Sequence, residues 1–457
     1  MRTPASGLGG WLPYSTIRNR FLICVVAGIA WVCLSTYLAL PWINDLGELI
    51  SLPLAIGVVL GIAIIPGYLN AFLVASLLVD RPRLLESIPP GTDSQVWPPL
   101  TLLVASFNEE DRIEETLSYA LGSDYPGNLK IIVADDGSAD LGARIVEYMS
   151  EEDPVVSLIR RPHEGKAAAL DAALAESQTD LIATIDADTL LSRGALRRAV
   201  ARLVSAPAST AAVAGAVMAR NSRDNWLTRL QEWDYELGIA SIKRSQAIWQ
   251  ATLVSQGAFS VYKRQAVVEA GGWPDAIGED IVLTWSMMNS GWTVSFEPTA
   301  LAFTHVPTRF GHFARQRSRW ARGMIEGLRA YGRQLLFSRR MVAHGIAINC
   351  LFVWMDLCFT FAFLPGVILA LTGNVAIVGP MTLAVIPLNM LLAALMFYLQ
   401  REVFSETQMR IRRNPVGFLL YSFAFQPMMS PISVKGAEER GERREFIPYT
   451  DKPIRWH

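Results

Sequence analysis

Charge of either sign is scarce in this chain, and so is cysteine. Of its 457 residues 18% are charged and 51% hydrophobic, with a formal net charge of −1. So balanced a charge gives no purchase on a polyanion, and no nucleic-acid partner is expected. The four cysteines, Cys24, Cys33, Cys350 and Cys358, all fall in apolar stretches. They have neither metal-ligand spacing nor the pattern of a disulfide framework, which leaves them as small buried apolar side chains. No Gly-x-Gly-x-x-Gly and no Walker sequence occurs, which argues against a dinucleotide enzyme or an ATPase. The first apolar run is too long for a cleaved signal peptide, and no small-residue cleavage site follows it.

Long apolar runs are what the chain does have. Its mean hydropathy of +0.27 is too high for an ordinary soluble protein, and its charge too high for one made only of membrane spans. Residues 21–43 contain no charge; at about 1.5 Å per residue they reach roughly 35 Å, enough to cross a bilayer. Residues 49–79 are also uncharged, and Pro53 and Pro66 should kink or tilt them. Residues 341–371 and 375–399 are apolar again, and 416–434 form a weaker run interrupted by Gln426, Pro427 and Pro431. This predicts five spans, two before a central region and three after it.

Arginines punctuate these runs. Arg2, Arg18 and Arg20 precede the first, Arg81 and Arg83 follow the second, Arg339 and Arg340 precede the third, and Arg410, Arg412 and Arg413 separate the last two. All fall on one side if the N-terminus and the central region are cytoplasmic. The expected place is therefore the plasma (inner) membrane, crossed several times. Five crossings would put Lys435, Arg440, Arg443 and Arg444 outside. Either 416–434 re-enters without crossing, or one apolar block crosses twice, or the tail is an exception.

The predicted organisation is an N-terminal membrane region over 1–80, a globular α/β domain over 81–308, an amphipathic interface helix over 309–340, a C-terminal membrane region over 341–434 and a charged tail over 435–457. Pro82, Pro89, Pro90, Pro98 and Pro99 mark the entry to the domain. Short apolar runs at 100–105, 129–134, 155–159, 181–185 and 211–217 alternate with helix-like segments near 110–121, 141–152, 165–177 and 192–204. Wholly apolar strands with helical crossovers predict a mostly parallel, Rossmann-like sheet covered on both faces. Ligands of such sheets bind at the carboxyl ends of the strands.

Acidic groups lie at those ends. Asp135 and Asp136 close the second strand, and Asp186 and Asp188 the fourth. Either pair alone could be a turn former or helix cap. Two pairs in one sheet crowd carboxylates into one crevice, where they need a cation to stay ionised. Oxygen ligands favour Mg2+ or Mn2+, and Mg2+ commonly bridges a few carboxylates to substrate phosphates. Lys166, after Gly165, could reach a phosphate or simply be a solvated lysine at a helix start.

At Asp135-Asp136-Gly137-Ser138, Asp186-Ala187-Asp188, Gly278-Glu279-Asp280 and Gln316-Arg317-Ser318-Arg319-Trp320 the chain resembles the family 2 processive glycosyltransferases, the synthases of cellulose, chitin, hyaluronan and poly-N-acetylglucosamine. The resemblance covers about residues 98–330. It is nearest to the bacterial poly-N-acetylglucosamine synthase group at Ser255-Gln256-Gly257-Ala258-Phe259, Gly271-Gly272-Trp273 and Glu279-Asp280-Ile281, the first of these lying around the acceptor site. Gly278 departs from the threonine usual in that group, and the glycine form is similar to chitin-oligosaccharide synthases.

The resemblance implies a cytoplasmic GT-A fold and a set of roles. Phe107, Asn108 and Glu109 would begin the uridine pocket, and Asp135 or Asp136 would contact uracil or ribose. Lys166 would contact the nucleotide and Gly257 line the acceptor site. Asp186 and Asp188 would hold the metal on the diphosphate. Asp280 would be the general base; Glu279 would orient it or stabilise the helix start. Gln316, Arg319 and Trp320 would bind the diphosphate and floor the acceptor site. A metal and Arg319 could stabilise the leaving diphosphate, and one base without a nucleophile predicts inversion, an α-linked UDP-sugar giving a β-linkage.

Arg309, Arg315, Arg317, Arg319, Arg322, Arg329 and Arg333 alternate with Phe310, Phe313, Trp320 and Leu328, which predicts a helix at the membrane interface. Asp356 inside a predicted span points either to a polar conduit for polymer or to pairing with another helix. The expected activity is export-coupled synthesis of a β-linked, N-acetylglucosamine-based exopolysaccharide from a UDP-sugar, with a growing polysaccharide as acceptor and the bilayer as partner. The alternatives are a non-processive transfer to a membrane lipid and a non-catalytic transporter or receptor. A small membrane subunit or homo-oligomer is compatible with the sequence, and no regulatory domain is expected after the last apolar block.

Overall fold

The computed structural model describes residues 16–80, 96–407, 409 and 412–438. Arg2, Arg81, Arg83, Arg410, Arg440, Arg443, Arg444, Pro82, Pro89 and Pro90 lie outside the described residues, as does the tail beyond 438.

The central domain is built on eight strands: β1 (Leu100–Ser106), β2 (Leu129–Asp135), β3 (Val156–Arg160), β4 (Leu181–Asp186), β5 (Thr189–Leu191), β6 (Thr210–Ala219), β7 (Phe259–Lys263) and β8 (Thr293–Thr304). Their order is β3-β2-β1-β4-β7-β6-β8-β5. The first four are mutually parallel, as their unbroken apolar runs require. β7 runs antiparallel to both β4 and β6, and β5 antiparallel to β8, so the sheet is mixed.

Helix Lys166–Glu176 covers one face, packing Ala169, Leu170 and Ala173 into a core with Leu103 and Ile132. Helices Ile113–Leu121, Gly142–Glu152 and Ala195–Ser205 cover the other, over Leu102, Val104, Ile131 and Val133. Alternate residues of one strand thus feed two cores, which is why β1 is apolar throughout. The register sets Ser106 opposite Asp135 and Ala105 opposite Asp186, so the acidic residues end on one edge of the sheet.

Among the described residues three helices, Ile17–Leu49, Leu52–Val79 and Val342–Leu371, are long and apolar enough to cross a membrane. A fourth long helix, Pro380–Glu406, covers the fourth predicted span. The near ends of the last three are tied to the central domain. Arg244 joins Asp80 (Nε to Oδ2, 2.5 Å) to the carbonyl of Leu399 (3.0 Å) and Oε1 of Gln400 (2.8 Å). Arg340 donates to the carbonyls of Met288 and Trp292, each at 2.6 Å. At the far end the Trp42 indole donates to the carbonyl of Ala376 (2.9 Å).

The fifth predicted span behaves differently. It is helical over 415–438, begins on the central domain, packs in its middle against the Val342–Leu371 helix, and ends on helix Phe310–Gly327. Asn414, its N-cap, donates to the Arg229 carbonyl (2.9 Å) and accepts at its own carbonyl from the Trp233 indole (2.9 Å). Near the other end Gly436 packs on the backbone of Ser318, where a Cβ would lie 2.6 Å from the carbonyl oxygen. In between, Ser430 Oγ (2.8 Å) and Gln426 Nε2 (3.2 Å) donate to Asp356, which therefore pairs with a neighbouring helix.

Candidate active site

The two acidic strand ends have different tasks. Asp136 is buried, and its carboxylate accepts from the backbone N–H groups of Glu164 (2.9 Å) and Gly165 (2.9 Å) and meets His163 Nδ1 at 2.8 Å. It is saturated by the loop that leads into helix Lys166–Glu176. Asp135 is equally buried; its Oδ2 takes the Ser138 N–H (3.2 Å), and its Oδ1 has no partner. A buried carboxylate oxygen left open is costly unless a donor meets it, so Asp135, unlike Asp136, keeps capacity for one more hydrogen bond.

Asn108 takes a left-handed backbone, φ 54°, which asparagine tolerates better than most residues. Its N–H donates to Ser138 Oγ, and its Oδ1 accepts from Ala139 N, both at 2.9 Å. Asn108 thus stitches the loop after β1 to the loop after β2. Beside it the exposed Phe107 and His163 rings stack at 4.3 Å and 22°.

Across this edge lies the charged cluster. Lys166 Nζ is 2.5 Å from Asp186 Oδ1 and 3.3 Å from Glu279 Oε1. Burial alone would lower the lysine, but these two carboxylates outweigh it and hold Lys166 above its ordinary range. Burial raises Glu279, against the pull of Lys166. Gly257 lies directly against the lysine; a Cβ there would come within 2.8 Å of Nζ. The Gly257 N–H donates to Asp280 Oδ2 (3.3 Å), while Asp280 Oδ1 accepts from Ile281 N (2.8 Å). Lys166, Asp186, Gly257, Glu279 and Asp280 therefore form one connected cluster.

Asp188, two residues after Asp186, accepts from Thr304 Oγ1 (3.3 Å) and lies 3.6 Å from Arg112. Burial, then the neighbouring Asp186, raise its pKa. Glu109, 3.7 Å from Arg112, is raised by burial and by Asp188. Among the described residues no three His, Cys, Asp or Glu side chains converge to hold an ion alone. Asp186 and Asp188 supply two carboxylates on one turn, which fits a hard divalent ion that takes the rest of its shell from phosphate oxygens and water. That ion would also relieve the repulsion that raises Asp188. His305, which sequence reasoning missed, follows Thr304; burial and then Arg112 and Arg220 lower its pKa, favouring a neutral imidazole near Asp188.

The Gly278–Asp280 segment is fixed from outside by helix Phe310–Gly327, which carries Gln316, Arg319 and Trp320. Gly278 and Gly323 meet backbone to backbone: a Cβ on Gly278 would lie 2.5 Å from Gly323 Cα. Glu326 Oε2 accepts from Ile277 N (2.9 Å) and Gly278 N (3.3 Å). The departure at residue 278 thus has a steric cause, since no threonine fits this crossing.

On the same helix Arg319 and Trp320 are exposed, while Gln316 is half-buried with its Oε1 unpartnered. Among the described residues neither Gln316 nor Arg319 bonds to the carboxylate cluster. Arg317, for which no separate role is expected from the residue pattern, is buried against Asp234 (2.5 Å), and its guanidinium lies 4.3 Å over the Trp320 ring. Tyr235 links the two parts: its ring is 6.4 Å from Trp320, and burial together with the charges of Asp234, Asp188 and Asp186 raises its hydroxyl pKa to about 12, against the pull of Arg317.

A family model described as "Glycosyltransferase like family 2" matches residues 98–323. The poly-beta-1,6-N-acetyl-D-glucosamine synthase of Staphylococcus aureus (strain MSSA476) is 34% identical over 230 residues, 50% of this chain and 55% of that protein. An N-acetylglucosaminyltransferase of Rhizobium sp. (strain N33) is 34% identical over 244 residues, 50% of this chain and 53% of that protein. The chain thus spans about half the length of the curated relatives it matches. In fold it is similar to a mannosyltransferase of Pyrobaculum calidifontis solved with GDP-Man and Mn2+, at 19% identity and a TM-score of 0.53, over 93% of this chain and 100% of that one. Residues 98–323 of this chain therefore form a family 2 glycosyltransferase domain.

Proposed function

We propose that this chain is a membrane-embedded, processive, inverting glycosyltransferase that extends a β-linked N-acetylglucosamine polymer from UDP-N-acetylglucosamine and passes it outward. The observation that carries the reading is the single cluster of Lys166, Asp186, Gly257, Glu279 and Asp280, docked through Gly278 on the helix of Trp320. The sugar comes from the curated relatives, which are named for N-acetylglucosamine transfer.

Asp135 Oδ1 binds the uracil or ribose, and the exposed Phe107–His163 stack borders that pocket. Lys166, paired with Asp186 and Glu279, contacts the nucleotide. Asp186 and Asp188 would hold a divalent cation, Mg2+ or Mn2+, which would supply charge stabilisation for the leaving diphosphate. Asp280, with Oδ2 held by the Gly257 N–H, takes the proton of the acceptor hydroxyl as that oxygen attacks the anomeric carbon and UDP departs. Exposed Trp320 offers a face for the terminal sugar, and exposed Arg319 a charge for the diphosphate. Asn108 and Asp136 shape the pocket rather than touch the donor.

The test is incubation of the purified protein in nanodiscs with UDP-N-acetylglucosamine and Mg2+ or Mn2+, following UDP release and product length. Polymer digestible by a hydrolase for β-linked N-acetylglucosamine is expected, and D280N should lose about 10²-fold or more in turnover, the usual contribution of a general base. A product bearing one sugar on lipid would remove processivity, and a fully active D280N would remove the base.

A further inference from the structure

Helix Ser241–Ile248 carries a buried lysine that the mechanism so far does not use. Lys243 is 7% exposed, and its ammonium donates to Gln256 Oε1. That glutamine is fixed on all sides. Its Nε2 donates to the Gly215 carbonyl on β6 (2.6 Å), and its own carbonyl accepts from Ser260 Oγ (2.9 Å). The next residue is Gly257, which lies against Lys166 and donates its N–H to Asp280. On the other side Ser255 N donates to Thr284 Oγ1 (2.9 Å), which donates in turn to the Asp280 carbonyl (2.6 Å). Residues 255–257 are therefore a bridge with Lys243 at one end and Asp280 at the other.

We propose that Lys243 is a positioning residue for glycosyl transfer: through Gln256 it holds the Gly257 N–H on Asp280. The inference rests on Asp280 being the base. The titratable groups that bear on Asp280 are Lys166, Glu279, Lys243 and Tyr262. Lys166 is already matched by two carboxylates, whereas the contact of Lys243 is a neutral amide. Lys243 thus meets a neutral amide and, among the described residues, no carboxylate at ion-pair distance. Burial pushes the amine down to about 7, with the Asp280 charge pulling the other way. A carbon chain at this position would pack better than a buried ammonium, so evolution of a lysine here calls for a task beyond packing.

The experiment compares K243M, K243R, Q256M and D280N in nanodiscs. Each is measured for thermal stability, UDP binding, KM for UDP-N-acetylglucosamine and kcat across pH 5 to 9. K243M is expected to keep UDP binding and donor KM within about twofold while kcat falls about tenfold, part of a general base's usual share. K243R should recover most of kcat. Q256M, which breaks the same contact from the other end, should lower kcat with donor KM unchanged, and it carries the test if K243M does not fold. A folded K243M or Q256M with wild-type kcat overturns the inference while an inactive D280N upholds the base. An active D280N overturns the base itself.

Discussion

Residue 278 shows how one side chain is set by a neighbour distant in sequence. Gly278 has φ −109°, so its backbone asks for no glycine. The requirement comes from Gly323, whose Cα would lie 2.5 Å from any Cβ placed on residue 278. The pair of glycines lets the loop before Asp280 rest on the helix of Trp320, and Glu326 caps that loop's free N–H groups. Placing a threonine at residue 278 should therefore harm this chain. G278T is expected to lose about 1–3 kcal/mol of stability from overpacking and to lose most of its turnover. Thermal unfolding and UDP release on the same preparation check both. A G278T protein with wild-type melting and turnover would mean that the two backbones can separate without cost. Gly436 has the same character, since Ser318 leaves it no room for a side chain.

Among the elements, helix Phe310–Gly327 has packed neighbours on two sides. Its Gly323 and Gly327 receive Ile281 and Trp285 of helix Glu279–Asn289, and the 415–438 segment covers Ser318 and Arg317. G436V should push that segment off Ser318, at a cost of about 1–3 kcal/mol, and loosen the support under Trp320. The expected readout is shorter product at an unchanged donor KM, measured by product sizing beside initial UDP release; unchanged product length would detach the segment from acceptor holding. The elements differ in how far the sequence disclosed them. β1 to β4 and β6 were legible because each is an apolar run buried on both faces. β7 carries Lys263 and follows a polar loop, β5 has three residues, and β8 is broken by Glu297 and Pro298 at a register shift against β6. Those interruptions hid the antiparallel pairings that make the sheet mixed. The site followed the same division. Asp135, Asp186, Asp188 and Asp280 were legible as strand and helix ends, whereas Arg317–Asp234, Lys243–Gln256 and the loop-fixing roles of Asn108 and Asp136 depend on tertiary partners that periodicity does not reveal.

For the molecule as a whole, sidedness follows from which helix ends touch the catalytic domain. Asp80, Arg340 and Gln400 are near ends, fastened to Arg244 or to carbonyls in the last turn of helix Glu279–Asn289 and just beyond it. Trp42 and Ala376 are far ends, bonded to each other. The 415–438 segment begins at Arg229 and ends at Ser318, so both of its ends rest with the near ends, while its middle reaches Asp356 of the Val342–Leu371 helix. The arrangement predicts that this segment turns back rather than crosses, where five crossings would have put Lys435 outside. Arg18, Arg20, Arg339, Arg340, Arg412, Arg413 and Lys435 then share one face, and the far loops near 44–51 carry only Asp45 and Glu48, in accord with the bias of basic residues to the cytoplasmic side. Two exposed positions distinguish the arrangements. Single cysteines placed by E438C and N374C in a cysteine-free background, in sealed vesicles of known orientation, should label from opposite sides with a membrane-impermeant maleimide. E438C should share the side of a cysteine introduced at exposed Glu151 in the catalytic domain. Labelling of E438C and N374C from the same side would mean that the last segment crosses, which would pull Gly436 away from Ser318 and leave the Trp320 helix without its second wall.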